Sequence, residues 1–258
     1  MKILLKIAFK GTNYNGYQVQ GDTPTIQKAL NDAADDLFGF PCDITGCSRT
    51  DSGVHAKCFC VTISAKKQDS IECSIPIQKI PRALNIRLPD DISVLCAAFV
   101  SDEFHPRYSV CEKTYSYVID NSPERDPFSV GLALHFPKPI TDDGIERMNA
   151  AAMLLCGTHD FTSFMAAGSK IVDATRTIRS CAVEKDVNKI TIKVTADGFL
   201  YNMVRIICGT VLDVALGKTA PDAITDIING KNRRLAGATL PADGLYLTEV
   251  KYPIDYFS

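Results

Sequence analysis

Apolar and polar residues alternate at the start of the chain, with Ile3, Leu5, Ile7 and Phe9 on one parity and Lys2, Lys6 and Lys10 on the other. Side chains two apart on an extended backbone point the same way, so this stretch reads as a half-buried strand over about 2–10. The apolar period then lengthens to that of a helix over about 24–37. Two apolar runs, Cys42 to Thr45 and Cys58 to Ser64, read as strands over about 42–47 and 57–65. A helical segment near 75–85 and a strand near 91–100 complete the first half. Ser101 to Val110 is irregular, and Pro106 biases His105 toward extended backbone. The second half opens with a strand from Lys113 to Asp120, then a helix over about 141–155. Strands over about 176–185 and 189–197 are joined by a turn, and helices follow over about 200–216 and 221–229. Short turns between paired strands predict antiparallel pairing and an α+β fold.

A chain of 258 residues fits one large domain or two small ones. With 46% hydrophobic and 22% charged residues it has the make-up of a water-soluble globular protein. No apolar run is long enough to cross a bilayer and the N-terminus lacks an export-signal layout, which predicts a cytoplasmic protein with no membrane partner. Its ten cysteines are then expected to be reduced thiols. No Cys-x-x-Cys pair occurs and the four histidines are scattered, so no metal is expected. The net charge of −2 argues against bulk attraction to nucleic acid. Basic residues do gather locally, at Lys170, Arg176 and Arg179 and again at Lys231, Arg233 and Arg234. Solvated faces and a charge-asymmetric binding surface both account for such clusters.

The stretch from Gly46 to Ala56 cannot bury itself, because it carries Arg49, Asp51, three hydroxyl residues and two glycines. In an extended segment Arg49 and Asp51 share a face, and a guanidinium beside a carboxylate favours the ionised form. An ionised carboxylate in a bend is a candidate nucleophile. A turn whose Asp and Ser bond their own backbone fits the spacing equally.

This stretch also resembles the catalytic motif of TruA-type tRNA pseudouridine synthases, with its Arg-Thr-Asp and Gly-Val-His. Further segments match in order: Gly16-Tyr17-Gln18, Asn85 with Leu88-Pro89 and Asp91-Ile92, Phe104-His105-Pro106-Arg107 and Tyr115-Ser116-Tyr117. Phe161 to Phe164, Asp173 to Arg176, Phe199 to Arg205 and Gly244 to Leu247 continue the series, so the resemblance covers nearly the whole chain. Tyr17 stands where the family usually has tryptophan, and Ser52 where it usually has alanine.

The resemblance implies two subdomains, 1–105 carrying the Asp51 loop and 106–258 carrying Tyr115 and Arg205, that share a mostly antiparallel sheet flanked by helices around an RNA-binding cleft. It implies isomerisation of uridine to pseudouridine at positions 38, 39 and 40 of the tRNA anticodon stem-loop by a cofactor-free homodimer. Asp51 would be the nucleophile. Tyr115 would lie against the uracil, and Arg205 would form an ion pair with Asp51. Arg49, His105, Arg107 and Gln18 would contact the RNA, with Lys113, Lys170 and Arg176 as weaker phosphate contacts. By periodicity alone Tyr115 reads as a core tyrosine and Arg205 as part of a solvated face. Two other classes remain open at this point: an RNA-binding protein without chemistry, and a hydrolase using Asp51. The hydrolase reading predicts a phosphate loop or metal-spaced cluster, and neither pattern occurs in the sequence.

Overall fold

The computed structural model describes residues 1–66, 71, 75–168 and 171–257, and the chain divides into two units. The first comprises Met1–Cys111 with Tyr246–Ser258, and the second Glu112–Leu245. The division expected from the sequence, at 105 and 106, assigns the C-terminal segment to the second half. Here that segment groups with the first, because Tyr246 and Leu247 pair in parallel with His55 and Ala56.

In the first unit β1 (Lys2–Phe9) is followed by α1 (Ile26–Phe38), β2 (Cys42–Gly46), β3 (His55–Ala65), α2 (Ile80–Asn85) and β4 (Ile92–Val100). β1 lies between β3 and β4, antiparallel to both, with Leu5 opposite Val61 on one side and Ala97 on the other. The alternation is real but incomplete: Leu4 is as fully buried as Ile3 and Leu5, so the strand is covered on both faces there. Thr25 caps α1 by accepting from the Lys28 N–H, and Gly39 ends it in the left-handed conformation at φ 74°. Its buried residues, Ile26, Leu30, Ala33 and Ala34, form the single stripe that a helix lays on a core. β2 runs antiparallel to β3 with Ile44 opposite Ile63, and the connection between them, 47–54, is the Arg-Thr-Asp loop.

The second unit contains β5 (Glu112–Asp120), β6 (Leu134–His135), α3 (Asp142–Leu154), β7 (Gly157–Asp160), β8 (Thr175–Asp186), β9 (Lys189–Ala196), α4 (Met203–Ala215) and α5 (Ala223–Asn229). β5, β9, β8 and β7 are neighbours in that order and antiparallel, and β6 adds a short parallel edge to β5. Every residue of α4 except Arg205 and Asp213 is buried. A helix that is apolar nearly all round has to run through a core rather than over it. β10 (Leu245–Lys251) then closes the chain. The architecture is α+β with mostly antiparallel strands, as the pattern predicts. No helix among the described residues is long and apolar enough to cross a membrane.

Candidate active site

Main-chain contacts from a distant segment hold the loop that carries Asp51. The Thr50 carbonyl accepts from the Tyr17 N–H at 3.1 Å, and the Tyr14 carbonyl accepts from the Gly53 N–H at 3.3 Å and from the Ser52 hydroxyl at 3.2 Å. Inside the loop the Val54 N–H donates to the Asp51 carbonyl, and Gly53 supplies the left-handed turn at φ 81°. The approach of the two segments is so close that only glycine fits. A Cβ on Gly11 would lie 1.9 Å from the Val54 oxygen, and one on Gly16 2.6 Å from the Thr50 oxygen. His55, buried at the loop's end, stacks on Tyr246 and accepts from the Gly11 N–H at Nδ1. That bond puts the ring proton on Nε2.

A second layer fixes the bracing segment. The Asp91 carboxylate receives the Tyr14 hydroxyl at 2.5 Å and the Asn13 amide at 3.3 Å, while its carbonyl receives the Lys10 N–H. Burial, followed by that hydrogen bond and the charge of Asp91, pushes the Tyr14 hydroxyl well above the usual phenol range. Asn85 clamps the neighbouring strand by giving to the Val94 carbonyl and taking from its N–H. The segment from Asn85 to Ile92 therefore supports the loop from behind. Gly11, Gly16, Tyr14, Asp91 and Asn85 had no site role assigned from sequence, although isolated glycines around an unburied polar stretch do signal a close backbone approach.

Tyr17 is 3% exposed and lies flat on Phe59, with ring centroids 4.6 Å apart. It thus fills the space beneath the loop. A Cβ on Gly46 would overlap its ring, which is why the strand leading into the loop ends on glycine. No described residue hydrogen-bonds its buried hydroxyl. Gln18, Arg49, His105 and Arg107, four of the residues named from sequence, line one cavity of about 260 Å³ in the first unit. Asp51 itself is half-buried.

In the second unit, Lys113 and Tyr115 sit on β5 opposite Ala196 and Val194 of β9. Tyr115 is buried and meets the Phe199 ring edge-on at 5.1 Å. Arg205 lies in the first turn of α4 and is partly buried, with Nε donating to the Leu240 carbonyl at 2.6 Å and a terminal nitrogen donating to Asn202 Oδ1 at 2.8 Å. Its fork is therefore aimed by two partners and is not a freely solvated charge. Asn202 adopts φ 58°, a left-handed conformation that asparagine tolerates better than most residues. The segment carrying Leu240 passes so close to α4 that a Cβ on Gly209 would sit 2.0 Å from the Ala238 oxygen. The Gly237 N–H donates to the Thr210 hydroxyl there.

The basic clusters are less available than their sequence suggests. Lys231 pairs with Asp160 at 2.7 Å and holds that carboxyl down at about 2. Arg233 bonds Ala236 and Thr239, Arg179 pairs with Glu112, and Arg176 donates to the Asp173 and Thr175 carbonyls. Lys170 lies outside the described residues. Among those residues no group of histidine, cysteine and carboxylate side chains is arranged to hold a metal.

A family model described as tRNA pseudouridine synthase matches residues 151–253. A tRNA pseudouridine synthase A of Thermoanaerobacter sp. (strain X514) is 41% identical over 250 residues, covering 97% of this chain and 99% of its own. This chain belongs to the tRNA pseudouridine synthase family. It is an isomerase of tRNA uridine. The enzymes of the same name from Bacillus pumilus (strain SAFR-032) and Bacillus subtilis (strain 168) are 40% and 39% identical, each over 98% of this chain and 99% of their own. The synthase therefore matches these relatives across both of its units.

Proposed function

We propose that this enzyme converts uridine to pseudouridine at positions 38, 39 and 40 of the tRNA anticodon stem-loop, with Asp51 as nucleophile and no cofactor. The N1–C1′ bond breaks, the base turns, and C5 bonds to C1′ while its proton is lost and N1 gains one. Nothing is oxidised and no atom is imported, so a carboxylate acting at the sugar and a group receiving the C5 proton suffice. Tyr115, lying against the uracil, assists at C5, and Arg205 holds the Asp51 carboxylate in position. Gln18, Arg49, His105 and Arg107 bind the displaced strand, helped by Lys113, Lys170 and Arg176. The enzyme works in the cytoplasm as a homodimer, which sedimentation of the free protein would test by giving twice the chain mass.

The observation that carries this reading is the bracing of the loop around the half-buried Asp51 by the Tyr14 and Tyr17 backbone, which bonds the Thr50 carbonyl, the Ser52 hydroxyl and the Gly53 N–H. Pre-organisation of this kind is what a nucleophile requires and what an ordinary surface turn does not. The test is tritium release from C5-labelled uridine in unmodified tRNA. Wild type should release label from the anticodon stem-loop, and Asp51→Ala or Asp51→Asn should release none. Release by either variant would overturn the assignment of Asp51. Release from another arm of the tRNA would overturn the site. A double substitution at Asp51 and Arg205 should cost no more than Asp51→Ala alone, since two residues acting on one step are not additive.

A further inference from the structure

Among the other residues lining the cavity of Gln18, Arg49, His105 and Arg107 are Asp43 and Tyr108, which nothing above uses. Tyr108 is 77% exposed, an unusual position for a tyrosine that contributes nothing to a core. One face of its ring lies on His105, with centroids 4.3 Å apart at 34°. The turn that carries it is tightly closed: the Ser109 N–H donates to the His105 carbonyl at 2.9 Å, and the His105 N–H donates to the Ser109 hydroxyl. The Tyr252 hydroxyl anchors the same turn through the Pro106 carbonyl at 2.8 Å. His105 accepts the Arg107 N–H at Nδ1. Burial, then Lys2 and Arg107, hold its pKa below the usual histidine value, so the ring backing Tyr108 is neutral at pH 7.

We propose that this cavity binds one unstacked nucleotide of the RNA, whose base lies on the outer face of Tyr108. The chemistry of the lining matches the parts of a nucleotide. A preset aromatic plane takes a base without regard to its identity. The guanidinium groups of Arg49 and Arg107 take the adjoining phosphates. The Asp43 carboxylate and Gln18 amide meet the base edge, and a carboxylate there favours bases that present an N–H donor, such as guanine or cytosine. A volume of about 260 Å³ admits a single nucleoside and excludes a stacked helix. Asp51 is not among the lining residues, so the nucleotide held here is a neighbour of the reacting uridine rather than the uridine itself. The inference rests on the proposed action on structured RNA and adds a second grip on it.

The experiment compares wild type, Tyr108→Ala and Tyr108→Phe on an anticodon stem-loop RNA carrying 2-aminopurine, in turn, at each position flanking the reacting uridine. Wild type should quench the fluorescence at one of these positions on binding. Tyr108→Ala should abolish that quench and raise KM by about 10- to 100-fold, the loss expected for one base–aromatic stack, while kcat moves far less. Tyr108→Phe keeps the plane and should recover both the quench and KM. An unchanged KM and an unchanged quench in Tyr108→Ala would overturn the proposal, as would a failure of Tyr108→Phe to rescue. The quench reports binding alone. If wild type bound and quenched but released no tritium, the isomerase reading would fail and the nucleotide subsite would stand.

Discussion

The Asp51 loop and the Arg205 helix solve the same positioning problem in opposite ways. Asp51 stands on a loop with no periodicity of its own, immobilised because the Gly11 to Tyr17 segment is bonded to its backbone from 33 and 39 residues away in the chain (Tyr17 to Thr50, Tyr14 to Gly53). Arg205 stands on a helix whose other residues, Asp213 excepted, are buried, so its place is set by α4, and only its side chain needs steering, by Leu240 and Asn202. The loop is thus specified by backbone contacts and by residues that lack a side chain, whereas the helix is specified by side-chain burial.

The strongest test of that contrast is steric. Gly11→Ala places a methyl group 1.9 Å from a carbonyl oxygen that cannot rotate away. It should destabilise by about 3 kcal/mol or more and eliminate tritium release, read by urea denaturation beside activity. Gly209→Ala should cost a similar amount through Ala238, because the segment bearing Leu240 must move off α4. A wild-type urea midpoint for Gly11→Ala would refute the idea that backbone contact holds the loop.

Arg205→Lys comes next. It keeps the charge but loses the fork that reaches Leu240 and Asn202 together. It should lower stability by roughly 1.5–3 kcal/mol and kcat by more than it changes KM, as measured by denaturation and steady-state kinetics on the same sample. Tyr17→Phe should do the reverse on the loop side. Removing a buried hydroxyl with no hydrogen-bond partner among the described residues should raise stability by about 1 kcal/mol, seen as a higher melting temperature.

The smallest effect concerns Cys58, on the strand leaving the loop. The Cys60 thiol donates to it, the Val250 N–H and Lys6 help, and together they outweigh burial and hold its pKa below the usual thiol value, while the same pairing and then burial push Cys60 up. Alkylation of Cys58 by iodoacetamide should therefore reach half its plateau rate at a lower pH than that of an ordinary thiol. A half-point near 8.5, the value of an ordinary thiol, would remove Cys58 from the group that Lys6 and Val250 influence.

Much of this was readable without coordinates where burial is local and periodic. The helix expected over about 24–37 is Ile26–Phe38, and the one expected over about 200–216 is Met203–Ala215. The hairpin around Asp186 to Asn188 forms as the two alternating runs predict. The sequence did not reveal β7, which is four residues long, or β10, whose partner β3 lies far back along the chain. Nor did it show that the Tyr17 ring packs under the loop against Phe59.

Taken alone, the sequence determined the α+β class, the principal helices and strands, and, through resemblance, the family and the residues proposed to act, because these depend on periodicity and on motifs within one segment. Only the tertiary structure decided that Gly11, Gly16, Tyr14 and Asp91 brace the loop. It also decided that Lys231 and Arg233 are occupied internally and that Tyr108 faces outward over a cavity. The bracing of the loop and the Lys231–Asp160 pair are contacts between residues distant in sequence, and no local pattern records which two segments will meet.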